Sequence, residues 1–208
     1  MPDKSIMALP DIHSDPAARV KAREMLLDGH VGVFYIEWSK PIDPDNLDKT
    51  FEGLAPGDAK PTLKELTRLA LDHGIPVKPV DIAPETVLQK LDAESPDYAP
   101  HGQLSLFQPW GQAVRDRETA QLIGNDMKDR ADGTIGLVMY GADHFKPKID
   151  DGKVLAGALD ALIRDQGAAD VYLLKPAFGQ VHVDSSASQS DHAAVIDDHK
   201  EKGVSPKV

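Results

Sequence analysis

Apolar and polar residues alternate along the chain in blocks that have the lengths of strands and helices. Near-continuous apolar runs rich in β-branched or aromatic residues predict about five strands. They are Ser5–Pro10, Val31–Trp38, Pro76–Ile82, Thr134–Gly141 and Asp170–Leu174. The second run is typical of a strand that is buried on both faces of a parallel sheet. Pro76 and Pro79 place the third near an edge of that sheet, because proline cannot donate to a strand ladder.

Amphipathic segments with helix start and stop signals separate these strands. Asp15-Pro16 opens a helix that runs to about Asp28, and Thr62 caps a helix at Leu63–His73. Further helices are predicted at Asn46–Leu54, Pro84–Leu91, Ala113–Arg130 and Val154–Gln166. The segment Phe145–Gly152 is predicted to be a loop.

Strands that alternate with helices indicate an α/β fold, with a mainly parallel sheet of about five strands and flanking helices. This fold is expected from about Ile6 to Lys175, within a single α/β domain at residues 1–184. Residues 185–208 are rich in serine, aspartate, histidine and lysine and have no periodic apolar face. That composition predicts a disordered tail.

Composition excludes some classes of function. The 208 residues include no cysteine, which removes disulfides, thiolate nucleophiles and cysteine-bound zinc. A formal net charge of −11 without a basic stripe argues against nucleic-acid binding. No stretch is long enough to span a membrane, and the amino end does not resemble a secretory signal. We therefore expect a cytoplasmic protein, one secreted without a cleaved signal peptide, or a domain of a larger protein, with the oligomeric state left open.

Acidic and imidazole side chains stand where three predicted strands end. Asp11-Ile12-His13 follows the first strand, Glu37 closes the second, and Asp143-His144 follows the fourth. Because the carboxyl ends of parallel strands open onto one crevice, where α/β proteins bind ligands, we expect these side chains to converge. Each alone also fits an ordinary surface position. Their repetition at strand ends favours a functional site.

Histidine and carboxylate donors in such a crevice fit a metal site or an acid–base site. His13, Glu37, Asp143 and His144 are the predicted metal ligands, and the cysteine-free set suits zinc, manganese or iron without choosing among them. In an acid–base site, the two histidines and Glu37 would instead move protons. Haem is a weaker alternative, because the chain has only 5% aromatic residues to line an apolar haem cleft.

Arg115-Asp116-Arg117-Glu118 is expected to open the longest helix. Acidic residues in a first turn complement the helix dipole, whereas two arginines oppose it. The arginines therefore indicate an ion pair or an anion contact, and Arg115 is predicted to reach Glu37 or a substrate carboxylate. His101, in the irregular segment before this helix, is a candidate lid residue.

The chain carries no phosphate-binding loop, no Gly-x-Gly-x-x-Gly fingerprint and no Gly-x-Ser-x-Gly elbow. These absences argue against nucleotide binding by such loops and against a serine α/β-hydrolase. The candidate chemistry therefore rests on the histidines and carboxylates at the strand ends.

Four motifs resemble those of the superfamily that contains the erythromycin esterases, the haem-uptake lipoproteins and the TraB/Tiki proteins. They are Pro10-Asp11-Ile12-His13, Tyr35-Ile36-Glu37, Arg115-Asp116 and Tyr140-Gly141-Ala142-Asp143-His144. The last contains the Gly-x-x-His pattern of that superfamily. Pro10 and Asp11 stand where the superfamily tends to have glycine and glutamate. Related domains occur in bacterial toxins and effectors, and the resemblance implies an α/β fold from Ile6 to about Lys175.

The leading hypothesis is a metal- or histidine-dependent hydrolase that acts on an ester or amide of a small molecule or peptide. His13 and His144 would hold a metal or activate water, Glu37 would be a ligand or general base, and Arg115 would orient an anionic group. Two alternatives remain. One is a module that binds iron, haem or another ligand without turnover, and the other is a bacterial effector or toxin domain that acts through partner binding.

Overall fold

The computed structural model describes residues 3–54, 60–94, 104–177 and 180–184. The strands in this part of the chain are β1 (Ser5–Asp11), β2 (Val31–Ile36), β3 (Val77–Pro79), β4 (Ile135–Gly141), β5 (Lys148–Asp150), β6 (Lys153–Ala156), β7 (Asp170–Ala177) and β8 (Gln180–Asp184). The α-helices are α1 (Ala17–Leu27), α2 (Leu47–Thr50), α3 (Leu63–Asp72), α4 (Pro84–Glu94), α5 (Pro109–Lys128) and α6 (Leu159–Asp165). Within the same residues, no helix has the length and apolar character needed to cross a membrane.

Six strands form the main sheet, in the order β3-β2-β4-β1-β7-β8. The first five are mutually parallel, and β8 pairs antiparallel with β7. The predicted α/β fold with a mainly parallel sheet of about five strands is confirmed. The proline-bearing strand β3 lies at an edge, as the sequence predicted.

Helices cover both faces of the sheet, so alternate residues of one strand enter different cores. Leu9, Phe34 and Leu137 pack with α1 and α3 on one face. Ile6 and Tyr35 belong to the opposite core, with α5 and α6. This two-sided burial explains why the central strands read as continuous apolar runs rather than as alternating ones.

The longest helix begins earlier than predicted. It starts at Pro109 rather than Ala113, with Pro109 in the first turn. Proline is favourable there because the first amide groups of a helix have no intrahelical acceptor. Arg115 and Asp116 therefore lie in the second turn, and the expectation that they open the helix was wrong. The interpretation of Arg115 as a residue that opposes the helix dipole falls with it, because that effect is confined to the first turn.

A short hairpin replaces the predicted loop at Phe145–Gly152 and the first turn of the predicted helix at Val154–Gln166. Strands β5 and β6 pair antiparallel around Asp151 and Gly152, which have φ angles of 45° and 73°. Asp-Gly is a favoured sequence for a two-residue hairpin turn, because both positions need positive φ. The helix that follows, α6, begins only at Leu159.

Residues 185–208, predicted to form a disordered tail, lie outside the described part of the chain. The single domain expected at residues 1–184 stays a prediction.

Candidate active site

The carboxyl ends of four parallel strands bring the polar residues together. Asp11 is the last residue of β1 and pairs in register with Gly141 at the end of β4. Glu37 follows Ile36 at the end of β2, and Asp81 stands two residues beyond β3. His144 lies in the 3-10 turn Ala142–Phe145, directly after β4. The amino-terminal half of helix α5 lies at this end of the sheet and adds side chains from its second and third turns.

Arg115 joins two of the carboxylates at this edge. Its Nη2 donates to Glu37 Oε1 at 2.9 Å and to Asp81 Oδ2 at 2.8 Å, and its Nε donates to Asp81 Oδ1 at 3.0 Å. The predicted reach of Arg115 towards Glu37 is therefore seen in the structure. These bonds use Nε and Nη2, and Nη1 makes no hydrogen bond to a described residue.

The second oxygen of Glu37 is held by the backbone. Glu37 Oε2 accepts a hydrogen bond from the amide of Gly141 at 2.7 Å. A Cβ at position 141 would lie 3.0 Å from that oxygen, which is closer than an ordinary contact. The glycine of the Gly-x-x-His motif thus lets the Glu37 carboxylate approach the backbone beside His144.

The hydroxyl group of Tyr140 holds the Asp81 side chain in position. It donates to Asp81 Oδ1 at 2.8 Å and lies 3.3 Å from Thr119 Oγ1, which itself donates to the Val80 carbonyl. Burial raises the pKa of Tyr140 well above its ordinary value, and the charges of Asp81 and Glu37 add to that shift. Tyr140 therefore keeps its proton and acts as a fixed donor.

His144 is buried and oriented by a carboxylate from α5. Its Nδ1 is hydrogen-bonded to Oδ1 of Asp116, whose side chain is fully buried. The Asp116 Oδ2 atom lies 3.1 Å from Lys148 Nζ, as an ion pair rather than an aligned hydrogen bond. The other imidazole nitrogen, Nε2, lies 3.7 Å from Glu37 Oε1, beyond hydrogen-bond distance. The ring of His144 also meets Tyr140 edge to face.

Lys148 comes from the hairpin that the sequence did not predict. Its ammonium group donates to the carbonyls of Asp143 and Lys146, both at 2.7 Å. These bonds fix the turn that carries His144, while the charge of Lys148 compensates Asp116. The β5–β6 hairpin therefore supports the site directly.

His13 lies at the exposed rim, above a buried ion pair. Its Nδ1 is 2.8 Å from Asp11 Oδ2 and 3.4 Å from Arg19 Nη2, and the shorter contact identifies Nδ1 as a donor to the carboxylate. Arg19, buried in α1, binds Asp11 through Nε and Nη2 at 3.0–3.2 Å. The side chain of His13 is 63% exposed, whereas that of Asp11 is 4% exposed.

The pKa values of His13 and Asp11 are shifted in opposite directions. The hydrogen bond to Asp11 raises the pKa of His13 above its usual range, against its partial burial, and the negative charge of Glu37 adds to the rise. Burial alone would raise the pKa of the Asp11 carboxyl, but the hydrogen bonds from His13 and Arg19 outweigh it and hold that pKa below its usual range. His13 therefore holds a proton more firmly than a free histidine does.

The charges of the site cancel only when His13 is protonated. Its carboxylates outnumber its arginine and lysine side chains by one. The acidic groups are Asp11, Glu37, Asp81 and Asp116, and the basic ones are Arg19, Arg115 and Lys148. Arg115 serves both Glu37 and Asp81, so the excess negative charge lies in the middle of the crevice, next to His144 Nε2 and within electrostatic range of His13.

Of the predicted site residues, four come to one edge of the sheet: His13, Glu37, Arg115 and His144. Asp143 does not join them, because its side chain is 77% exposed and pairs with Lys146. Within the described residues, no group of three or more His, Asp or Glu side chains is arranged to hold a metal ion. His101, the candidate lid residue, lies outside the described residues.

Five residues of the site were not predicted as functional: Arg19, Asp81, Asp116, Tyr140 and Lys148. Asp81 had a usable signal, because it follows the third strand as Glu37 follows the second. The sequence pattern predicts Asp116 to be an ordinary helix-start residue, because the predicted start of α5 lies four residues too late. Arg19 and Lys148 had no signal, because charged residues on a helix and in a presumed loop are usually solvated.

Comparison of the chain with protein-family models gives no match, and comparison with curated proteins gives none. Two of the solved structures that match this chain do so at low identity. One, "Bacterial protein toxins", has a TM-score of 0.46 and 12% identity over 88% of this chain and 35% of its own. The other, "Crystal structure of bacterial protein toxins", has a TM-score of 0.48 and 14% identity over 88% of this chain and 36% of its own. This chain thus spans about a third of the length of each.

Proposed function

We propose that the protein is a histidine-dependent hydrolase of an ester or amide, with His144 as the general base. The observation that supports this most directly is the pairing of His144 Nδ1 with the buried Asp116. A carboxylate on one imidazole nitrogen fixes the tautomer and orientation of the ring, and leaves the other nitrogen to accept a proton. That other nitrogen, Nε2, lies 3.7 Å from Oε1 of Glu37, whose side chain is partly exposed to solvent.

The first step is the attack of water on the substrate carbonyl. His144 Nε2 takes a proton from the water as its oxygen bonds to the carbonyl carbon. The imidazolium that forms is stabilised on both sides, by Asp116 at Nδ1 and by Glu37 Oε1 at 3.7 Å from Nε2. The Nη1 of Arg115, which has no hydrogen-bond partner among the described residues, supplies donors for the oxygen that becomes negative.

The second step is the departure of the alcohol or amine. As the bond between the carbonyl carbon and the leaving atom breaks, that atom takes a proton from His13. The raised pKa of His13 suits this role, because it keeps the imidazole protonated at higher pH. An oriented base and a protonated acid at one edge form the acid–base pair that hydrolysis requires. His144 then returns its proton to solvent and His13 regains one.

A metal-dependent hydrolase, in which zinc, manganese or iron activates the water, was the other form of the hypothesis. The carboxylates that would bind a divalent ion already have cationic partners. Of the predicted carboxylate ligands, Glu37 lies 2.9 Å from Arg115, and Asp143 pairs with Lys146 at 2.8 Å. A divalent cation would have to compete with these side chains for the same oxygens. We therefore assign the activation of water to His144.

The test is turnover of a panel of p-nitrophenyl esters and p-nitroanilides, measured with chelator and with added zinc, manganese or iron. The wild type is expected to hydrolyse at least one member in the presence of chelator. His144→Ala should lower kcat/KM about 10²–10⁴-fold with the fold retained by circular dichroism, because a general base contributes that much. His30→Ala, an exposed histidine at the opposite end of the sheet, is the matched control and should keep wild-type turnover.

Three outcomes would contradict this proposal. Turnover that survives His144→Ala would show that His144 is not the general base. Turnover that chelator abolishes and one metal restores would favour the metal-dependent form instead. If no member of the panel is hydrolysed, the ligand-binding module and the effector domain become the better hypotheses.

A further inference from the structure

An apolar cavity of about 200 Å³ opens beside the active-site residues. Its walls include Ile82, Val87, Leu106 and Phe107, which come from the segment after β3, from α4 and from the 3-10 turn at 104–107. These elements share a small core of their own, in which Val87 and Leu106 pack with Leu91 and Val114. The cavity is therefore bounded by packed residues rather than by a single surface loop.

Two site residues close one end of the same cavity. Asp81 and Arg115 line it together with the apolar residues. Arg115 is also the residue whose Nη1 has no hydrogen-bond partner among the described residues. A molecule in the cavity would thus have its apolar part against Val87 and Phe107 and its polar end at the guanidinium group.

Phe107 forms a wall of the cavity that is still largely exposed to solvent. Its side chain lines the cavity, yet the residue is 73% exposed. Exposed aromatic surface beside a concave site is typical of ligand-binding positions, because a ligand removes both from water. Leu104, in the same turn, is similarly exposed at 70% but does not line the cavity.

Two larger cavities lack this combination. One of about 340 Å³ is lined by residues of α4, α5 and β6, among them Leu91, Trp110 and Arg117, and contains none of the active-site residues. Another of about 250 Å³ includes Lys148, but its other walls carry the polar residues Gln112, Asp143 and Lys146. An apolar wall and a link to Arg115 occur together in the smaller cavity.

We propose that this cavity binds the acyl side group of the substrate, and that the substrates are uncharged esters or amides of small apolar carboxylic acids. The inference rests on the hydrolase proposed above. A carbonyl oxygen at Arg115 Nη1 places the group attached to the carbonyl carbon in the cavity. A cavity of about 150 Å³ lined by apolar side chains holds one benzene ring, so the volume here suits one ring or a short branched chain.

The charges favour a neutral acyl group. Glu37 and Asp81 share the single guanidinium group of Arg115. A further carboxylate on the acyl group of a substrate would add negative charge beside them, whereas an uncharged acyl group meets no repulsion there.

The experiment compares kcat/KM for p-nitrophenyl phenylacetate, acetate and decanoate. We expect the phenylacetate to be preferred over both, because the acetate leaves the cavity empty and the decanoate exceeds it. Phe107→Ala should lower the preference for phenylacetate over acetate about tenfold, as the loss of a hydrophobic pocket wall does. Leu104→Ala is the matched control and should leave that preference unchanged.

A binding measurement separates this inference from the failure of the hydrolase proposal. Phenylacetamide, an uncharged analogue, is titrated into isotope-labelled protein, and chemical shifts of Val87, Leu106 and Phe107 are followed. Saturable shifts that are lost in Phe107→Ala support the cavity as an acyl site even if no ester is turned over. Turnover without preference for the phenylacetyl group would overturn the inference while leaving the hydrolase in place. No binding at millimolar phenylacetamide would also overturn it.

Discussion

At the scale of single residues, the site is held by charge pairs that burial makes necessary. Asp11 and Arg19 are both almost fully buried, at 4% and 2% side-chain exposure, and their contacts are 3.0–3.2 Å long. A buried pair of this kind contributes little net stability compared with apolar residues, but removal of one member leaves the other uncompensated. The pair therefore fixes Asp11, which in turn orients His13.

Arg19→Leu is expected to lower the free energy of unfolding by about 3–5 kcal/mol at neutral pH, because it leaves the buried Asp11 carboxylate without its buried cationic partner. Urea unfolding measures this loss. Arg23→Leu, on the exposed side of the same helix, is the control and should stay within about 0.5 kcal/mol of the wild type.

The stability lost in Arg19→Leu should also depend on pH, and the direction of that dependence follows from the pKa of Asp11. The pKa of Asp11 is depressed in the folded protein, so its pairing stabilises above the unfolded pKa of about 3.9. That contribution disappears as the pH falls through the folded pKa. The difference between wild type and Arg19→Leu should therefore shrink in acid. A difference that is constant from neutral to acidic pH would show that packing, rather than charge, explains the loss.

At the scale of elements, α5 organises the active site. Arg115, Asp116 and Thr119 project from one stretch of this helix and reach Asp81, His144 and Tyr140, respectively. Their positions depend on where the helix begins and on how closely it meets the turn at 104–107. That approach is close at Gly111, where a Cβ would overlap the carbonyl oxygen of Ser105.

Gly111→Ala is therefore expected to destabilise the protein by at least about 1 kcal/mol, as overpacking against backbone does. The sign is informative, because alanine in place of glycine within a helix otherwise stabilises by about 0.5–1 kcal/mol. Urea unfolding gives the free energy. Gly157→Ala is the control, since its Cβ would find only ordinary contacts at 3.9 Å or more. A gain in stability for Gly111→Ala would mean that the turn and α5 are not in close contact at Gly111.

At the scale of the whole molecule, strand order decides which strand ends become neighbours. The order β2-β4-β1 places Glu37, Gly141 and Asp11 side by side, although more than a hundred residues separate Glu37 from Gly141 along the chain. Helices α1 and α3 lie on one face of the sheet and α5 and α6 on the other. In such sheets the crevice at the carboxyl ends is the usual ligand site.

Deletion of residues 185–208 is expected to leave the melting temperature nearly unchanged, because this segment has no periodic apolar face to bury. Thermal unfolding followed by circular dichroism tests this. Deletion of residues 180–208 is the contrasting variant. It also removes β8, which pairs with β7 from Leu173↔Asp184 to Ala177↔Gln180, and should lower the melting temperature. Equal drops for both deletions would show that residues 185–208 contribute to the fold.

The sequence determined the fold class, the edge position of β3 and the three strand ends that carry His13, Glu37 and His144. Each of these follows from local periodicity, and the parallel order brings carboxyl ends to one edge whatever the strand order. The position of α5 and the β5–β6 hairpin were predicted incorrectly, although Pro109 and Asp151-Gly152 were local signals for both.

Only the tertiary structure decided which groups pair. The assignment of Asp116 to His144, of Arg115 to both Glu37 and Asp81, and of Arg19 to Asp11 joins residues from different elements. These pairings depend on strand order and on the angular position of each helical residue, neither of which local periodicity contains. Burial then makes the pairs obligatory, because a carboxylate such as Asp116, withdrawn from water, requires a partner that no neighbour in sequence supplies.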